Sequence, residues 1–128
     1  MSDEQQQTSE TRSRGLAKMA EVYGWEMSDG DGDFFGMTVE HLFATVWDRP
    51  GLSMRDRRLM LIAMCVGSGL HDVAELQMDA GLRVGDLSPE DLREIVIFLT
   101  HYAGWPSGAK MNSAVETLIA TAARRAAE

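Results

Sequence analysis

The sequence predicts an all-α protein of about six helices, and three observations support this fold class. Apolar residues recur at helical spacing in successive segments, as Leu16, Met19, Ala20 and Tyr23 do in the first of them. Segments rich in glycine, proline and aspartate separate these stretches, and none of the stretches shows the apolar-polar alternation of a strand. The chain of 128 residues is long enough to bury one core.

The N-terminal third is predicted to hold a tail and two helices. Residues 1–13 are polar and lack apolar periodicity, so we expect a flexible tail, with one helical domain over residues 14–128. A first helix starts near Arg14 and ends at Gly24, and the Gly/Asp-rich residues 28–33 form a loop. The spacing predicts a second helix over residues 37–47, which ends before Pro50 and Gly51.

The third predicted helix follows Ser53 and is apolar on every side over residues 59–66. A helix without a polar face must be covered all round, either by its own domain or by another subunit. Asp72 is the expected cap of a fourth helix, and residues 88–91, Ser-Pro-Glu-Asp, are a strong start for a fifth. Gly104 and Pro106 separate the fifth helix from a sixth.

Charge and composition exclude several classes of protein. The formal net charge is −8, from 20 acidic and 12 basic residues, which argues against a nucleic-acid partner. A small anionic molecule could still bind where a few arginines converge. No apolar run approaches the ~18 residues of a membrane span, so no membrane partner is expected. The first residues lack the hydrophobic stretch of a secretion signal, and a cytoplasmic location is the default expectation.

The cysteine and histidine content gives no metal or redox signature. Cys65 is the single cysteine, so neither an intrachain disulfide nor a CxxC pair can form. His71 and Glu75 lie one helical turn apart, but two ligands without a third are a weak metal site. We therefore predict no metal.

Four segments resemble the carboxymuconolactone decarboxylase family in their order and spacing. They are residues 47–52 (WDRPGL), 55–59 (RDRRL), 87–94 (LSPEDLRE) and 101–106 (HYAGWP). The resemblance implies an alkylhydroperoxidase D-like helical subunit without a cofactor. It also implies a cyclic homo-oligomer, a trimer or a hexamer, with pockets near the subunit contacts. Members of the family include decarboxylases of aromatic catabolism and thiol peroxidases.

The chain departs from both branches of this family in the fourth helix. Peroxidase members carry CxxC followed by histidine in the region that corresponds roughly to residues 71–79, and this chain has no such cysteines. Thiol peroxidase chemistry is therefore not expected. Decarboxylase members usually keep a histidine near the positions of Met78 or Asp79, which is absent here.

A decarboxylase without a cofactor must stabilise the enolate or carbanion left by carbon dioxide and then protonate it. His71 and Glu75 could share a proton across one helical turn, and His101 lies within the segment that resembles the family. These three are the predicted catalytic residues, expected to line one cavity that two chains could share. The alternative for His71 and Glu75 is an exposed pair at a helix start. For His101 it is electrostatic stabilisation at a helix end.

The substrate-binding candidates are two aromatic residues and three arginines. Tyr102 and Trp105 offer flat apolar surfaces with a polar tip, although they could equally pack a helix corner. Arg49, Arg57 and Arg58 could bind a substrate carboxylate through paired hydrogen bonds, or could form surface or intersubunit ion pairs.

Two functions remain open from the sequence. The first is a lyase-type enzyme that decarboxylates a small anionic lactone or a related carbonyl compound. The second is a catalytically inactive family member that serves as an oligomeric binding or scaffold protein. The residues 101–106 and the His71/Glu75 pair favour the first, and the missing histidine near Met78 favours the second.

Overall fold

The computed structural model describes residues 2–128 and consists of helices joined by short turns. The helices are α1 (Asp3–Tyr23), α2 (Asp33–Met37), α3 (Met54–Gly67), α4 (His71–Val84), α5 (Pro89–Ala103) and α6 (Trp105–Ala127). α2 continues without a break into a π-helical segment over Thr38–Val46. No strand occurs within residues 2–128, so the prediction of an all-α fold with about six helices is confirmed.

The chain divides into two compact units, Met1–Met54 and Arg55–Glu128. The first unit contains α1, α2 and the π-helical segment, and the second contains α4 to α6 and nearly all of α3. The sequence predicted a different boundary, at residue 13, between a flexible tail and the helical domain. That boundary concerned the mobility of the tail, and it stays a prediction.

α1 begins at Asp3 and therefore includes most of the residues that the sequence pattern left outside a helix. A capping box starts the helix: the Ser2 hydroxyl accepts from the Gln5 amide at 3.2 Å, and the Ser2 amide donates to the Gln5 side chain at 3.1 Å. Apolar periodicity could not show this first part of the helix, because its residues are exposed and bury no stripe. Gly24 ends α1 in the left-handed conformation, as predicted.

Within the first unit, α1 packs closely against the π-helical segment at Gly15. A Cβ atom at this position would overlap the backbone carbonyl of Val39, so only glycine permits the contact. Arg12 ties the Gly/Asp-rich loop to α1, because its guanidinium donates to Asp29 at 2.9 Å and to the Gly30 carbonyl at 2.6 Å.

The second unit has its own core, to which all four of its helices contribute. The buried apolar side chains of this core are Ile62, Cys65, Val66, Ala74, Met78, Leu87, Leu92, Val96, Met111 and Val115. The predicted start of α5 is confirmed, since the Ser88 hydroxyl accepts from the Asp91 amide at 3.0 Å. The predicted cap at Asp72 was wrong: α4 begins at His71, directly after Leu70, and has no side-chain cap.

α3 is covered on one face only in the single chain. Ile62, Cys65 and Val66 are buried, whereas Met60 and Met64 are 55% and 56% exposed. The apolar run of the sequence therefore includes side chains that this chain leaves in contact with solvent. In the described part of the chain, no helix is both long and apolar enough to cross a membrane.

Candidate active site

A cleft between α5 and α6 has the size and lining of a small-molecule site. Its volume is about 380 Å³, within the range typical of ligand pockets. Most of its lining is apolar, and polar groups enter at a few points. The lining residues are Val96, Ile97, Thr100, His101, Trp105, Gly108, Ala109 and Asn112.

The floor of this α5–α6 cleft is a close helix contact. Gly108 of α6 lies against Thr100 of α5, and a Cβ at Gly108 would come within 2.9 Å of the Thr100 Cβ. The buried Thr100 hydroxyl donates to the Val96 carbonyl at 2.5 Å, which satisfies its hydrogen-bonding requirement inside the helix pair. The small residue thus brings the helices together beneath the lining side chains.

His101 is held by its own helix at the mouth of the α5–α6 cleft. Its Nδ1 atom lies 2.7 Å from the Ile97 carbonyl oxygen. Since a carbonyl can only accept, Nδ1 carries the hydrogen, and in the neutral ring Nε2 keeps a lone pair. The Trp105 ring packs edge-on against the imidazole, with the two ring centroids 5.9 Å apart, and so restrains the imidazole from another side. Nε2 is therefore the atom that can exchange a proton with a bound molecule.

Tyr102, the neighbour of His101, lies outside the lining of that cleft. It is 81% exposed, and its ring packs against Phe98 with the ring centroids 5.3 Å apart. Of the two aromatic residues predicted to bind substrate, the structure places Trp105 in the cleft and Tyr102 on an exposed ridge of α5.

Glu75 lines a different cleft, between α4 and α6. This α4–α6 cleft has a volume of about 450 Å³, and Lys110, Ser113 and Thr117 contribute its polar groups. His71, the first residue of α4, is half-buried. Within one chain, Glu75 and His101 therefore belong to separate linings. The expectation that His71, Glu75 and His101 share one cavity, including one formed by two chains, stays a prediction.

The three candidate arginines are not equivalent. Arg58 is fully buried in the second unit, where it donates to the Gln77 side chain at 2.9 Å and to Asp86 at 3.1 Å. A substrate carboxylate cannot reach this guanidinium, so Arg58 is removed from the binding candidates and takes a structural role instead. Arg57 is half-buried on α3, and Arg49 is exposed in the first unit.

The positions where the resemblance implies a histidine hold other interactions. Met78 is buried in the core of the second unit. Asp79 forms ion pairs with Arg83 at 2.8 Å and with Arg125 at 3.6 Å. Neither side chain supplies an acid or base to the α5–α6 cleft, which leaves His101 as its titratable lining residue.

Two features of the surface were missed by sequence reasoning. Asn112 lines the α5–α6 cleft, and no signal in the sequence marked it, because the close contact at Gly108, four residues earlier, is visible only in the structure. An apolar groove of about 380 Å³ also runs between α3 and α5, with Leu59, Ile95 and Phe98 in its lining. Its charged lining residues are Arg55, Asp91 and Glu94. Among residues 2–128, no cluster of three or more His, Cys, Asp or Glu is arranged to hold a metal ion.

The fold and the α5–α6 cleft define a class of protein: an all-helical protein with a small, mostly apolar cleft that has one histidine in its lining. Comparison with known proteins identifies the family of the chain. The family model described as "Carboxymuconolactone decarboxylase family" matches residues 32–117. The chain belongs to the carboxymuconolactone decarboxylase family.

The chain is also similar to one curated protein across most of its length. It is 30% identical over 112 residues to the 4-carboxymuconolactone decarboxylase of Acinetobacter baylyi (strain ATCC 33305 / BD413 / ADP1). The alignment covers 80% of this chain and 83% of that protein. No solved structure gives a significant match.

Proposed function

We propose that this protein is a cytoplasmic decarboxylase of aromatic catabolism that acts without a cofactor on a small anionic lactone such as carboxymuconolactone. The observation that carries the proposal is His101, which combines an accessible Nε2 with a cleft of ligand size in a chain of this family. The similarity to a 4-carboxymuconolactone decarboxylase supports the choice of substrate.

In the proposed reaction, the carbon–carbon bond to the carboxylate breaks and its electron pair moves into the lactone carbonyl to give an enolate. Carbon dioxide leaves, and the enolate carbon then takes a proton from Nε2 of His101, which regains one from solvent. The Asn112 amide is the neutral donor that faces the developing negative charge.

The apolar walls of the α5–α6 cleft contribute by excluding water. Val96, Ile97 and Trp105 surround the polar groups. A carboxylate loses hydration when it enters such a site, whereas the more delocalised charge of the enolate is less dependent on water. The walls and the Asn112 amide therefore favour the transition state over the bound substrate.

Turnover of carboxymuconolactone, followed by ultraviolet absorbance, tests the proposal. His101→Gln should lower kcat by about 10²- to 10⁴-fold, the usual contribution of a general acid. His41→Gln is the matched control, since His41 is exposed on the π-helical segment of the first unit and should have wild-type kcat. Full activity of His101→Gln would remove His101 from the mechanism.

The predicted pair His71 and Glu75 is tested in the same assay. If the α4–α6 cleft were the reaction site, Glu75→Gln would lose activity and His101→Gln would keep it. We expect the opposite result, with activity lost in His101→Gln and kept in Glu75→Gln. The Glu75 cleft offers Lys110 and hydroxyl groups, but its lining is shallow and more polar.

A catalytically inactive scaffold or binding protein is the second candidate function. Met78 in the core and Asp79 in ion pairs favour it, because these positions no longer offer the histidine that the resemblance implies. This candidate would be supported if the folded wild-type protein bound the lactone, as measured by calorimetry, but did not turn it over. Turnover that depends on His101 would exclude it. In either case we propose that the chain acts as a homo-oligomer, a trimer or hexamer.

A further inference from the structure

The groove between α3 and α5 is not used by the proposed reaction, and most of its lining is apolar. Its volume of about 380 Å³ is sufficient for a small molecule. Phe98 is 64% exposed, so its ring presents a large apolar surface to a molecule that enters the groove. Exposed apolar surface beside a groove is typical of a binding site. The apolar lining residues are Leu59, Ala63, Ile95, Phe98 and Leu99.

The charged residues of the α3–α5 groove leave one negative charge without a partner. Arg55 donates to both carboxylate oxygens of Asp91, at 2.9 Å and 3.3 Å, and to the Asp86 carbonyl at 2.9 Å. The opposite charges of Arg55 and Asp91 therefore offset each other. Glu94, the remaining charged lining residue, forms no ion pair within residues 2–128. The groove thus has an excess of one carboxylate.

Glu94 and Phe98 together provide the two kinds of group that recognise an ammonium ion. They lie four residues apart on α5, so their side chains share one face of the helix and are one turn apart. A carboxylate pairs with an ammonium by charge, and the face of an aromatic ring attracts the same cation. Tyr102, one turn further along, packs against the Phe98 ring with the ring centroids 5.3 Å apart and supports it. A cation bound at this turn of α5 can contact both groups.

We propose that the α3–α5 groove binds a small apolar molecule that carries one ammonium group. The apolar body of this ligand lies against Leu59, Ala63 and Ile95. Its ammonium lies between the Glu94 carboxylate and the Phe98 ring. The ligand has the opposite charge to the lactone of the proposed function and a separate site, so the inference does not depend on that function.

Charge complementarity selects a cation over an anion of the same size. A carboxylate in the groove would meet two carboxylates, Asp91 and Glu94, and one guanidinium, Arg55, which is already paired. The net charge of −8 acts in the same direction, because the field of the whole protein attracts cations and repels anions. A neutral apolar molecule would gain only the contact with the walls.

Calorimetric titration with three matched compounds tests the ligand class. The ammonium compound is 4-phenylbutylammonium, its neutral counterpart is 4-phenylbutan-1-ol, and its anionic counterpart is 4-phenylbutyrate. We expect the ammonium to bind about 3- to 30-fold more tightly than the alcohol, through an exposed ion pair and a cation–π contact. The carboxylate should bind more weakly than the alcohol.

Two results of this titration would overturn the proposal. One is an alcohol or a carboxylate that binds as tightly as the ammonium. The other is the absence of ammonium binding, which is the result expected if a second copy of the chain covers the groove. Turnover of the lactone is measured separately, so its presence or absence does not bear on either result.

Substitution of Glu94 tests the location of the ammonium. Glu94→Gln should reduce the preference for the ammonium over the alcohol by about 2- to 5-fold, because only the ammonium uses the carboxylate. Asp72→Asn is the matched control, since it removes one negative charge from an exposed position of α4 outside the groove lining. It should keep the wild-type preference. Equal effects of the two variants would show that the cation responds to overall charge, and would contradict the site.

Amide chemical shifts locate the apolar body of the ligand. Addition of 4-phenylbutylammonium to nitrogen-15-labelled protein should shift the signals of Ala63 and Ile95, on the two walls of the groove. Phe98→Leu is the second variant in case Glu94→Gln does not fold by circular dichroism. It keeps an apolar side chain but removes the ring, and should also lower the preference for the ammonium. Shifts confined to the α5–α6 or the α4–α6 cleft would overturn the proposal.

Discussion

Arg58 shows how a single residue can have a different role from the one its chemistry suggests. Its guanidinium is fully buried and connects α3 to Gln77 of α4 and to Asp86 in the turn before α5. A buried charge is tolerated only when its hydrogen bonds are satisfied, and these partners satisfy it. The sequence could not reveal this burial, because Arg55, Arg57 and Arg58 look alike within one basic cluster.

Replacement of Arg58 should destabilise the second unit strongly. Arg58→Met leaves Gln77 and Asp86 without their partner, and we expect the free energy of unfolding to fall by about 3 to 5 kcal/mol. Urea unfolding followed by circular dichroism measures the change. Arg93→Met, which removes the exposed ion pair with Glu116, is the control and should change little. Equal effects of the two variants would contradict the structural role of Arg58.

Asp91 makes the stability of the second unit dependent on pH. The Ser88 amide and the Arg55 guanidinium hold the pKa of this carboxyl below its ordinary value. Because the folded state favours the charged carboxylate, its stabilisation is present above the unfolded pKa of about 3.9 and is lost as the pH falls through the lower folded value.

We predict that a variant without the Asp91 carboxyl loses less stability in acid than the wild-type protein does. Asp91→Asn should have a lower Tm than wild type at pH 7 and a smaller decrease in Tm between pH 7 and pH 3. Asp31→Asn, in the exposed loop of the first unit, should keep the wild-type decrease. The same pH dependence in wild type and Asp91→Asn would contradict this role for Asp91.

At the scale of elements, the contact between α5 and α6 depends on one small residue. Gly108→Ala places a methyl group against the Thr100 side chain and should destabilise the protein by about 1 to 3 kcal/mol through overpacking. Gly67→Ala is the control on α3, since a Cβ there meets no atom within 4 Å. It should be neutral or slightly stabilising, because alanine favours helix more than glycine does. Thermal unfolding distinguishes the two, and a neutral Gly108→Ala would show that the helices are not in close contact.

The sequence predicted those elements whose local chemistry is sufficient to define them. The start of α5 is an example, because Ser88 and Asp91 form its capping box without help from the rest of the fold. The first turns of α1 were missed because they bury no apolar stripe. The segment Thr38–Val46 was predicted as part of a helix over residues 37–47, but its π-helical character was not, because apolar spacing indicates a helix without specifying its hydrogen-bond pattern.

The candidate site was predicted only in part, because local sequence could indicate some of its contacts but not those that depend on helix packing. His101 and Trp105 are close in sequence and meet at the junction of two helices, so their proximity could be expected. Asn112 is two helical turns beyond that junction, and its place in the cleft depends on the crossing of α5 and α6 at Gly108. The separation of Glu75 from His101 likewise depends on helix packing, which periodicity does not specify.

At the scale of the whole molecule, the net charge of −8 bears on the capture of an anionic substrate. A negatively charged protein repels an anion at long range, and salt weakens this repulsion. If the substrate is an anionic lactone, kcat/KM should therefore rise as the ionic strength increases from about 0.01 M to about 0.15 M. Kinetics at several salt concentrations measure this slope. A fall in kcat/KM would show that local cations, rather than the overall charge, control substrate capture.

The central claim is the proposal that the reaction takes place in the α5–α6 cleft and not in the α4–α6 cleft. A structure with a bound substrate analogue tests this claim most directly. A non-reactive anionic lactone should lie in the α5–α6 cleft, with its reacting carbon next to Nε2 of His101 and an oxygen within hydrogen-bonding distance of the Asn112 amide. An analogue bound instead beside Glu75 and Lys110, with the α5–α6 cleft unchanged, would contradict the claim.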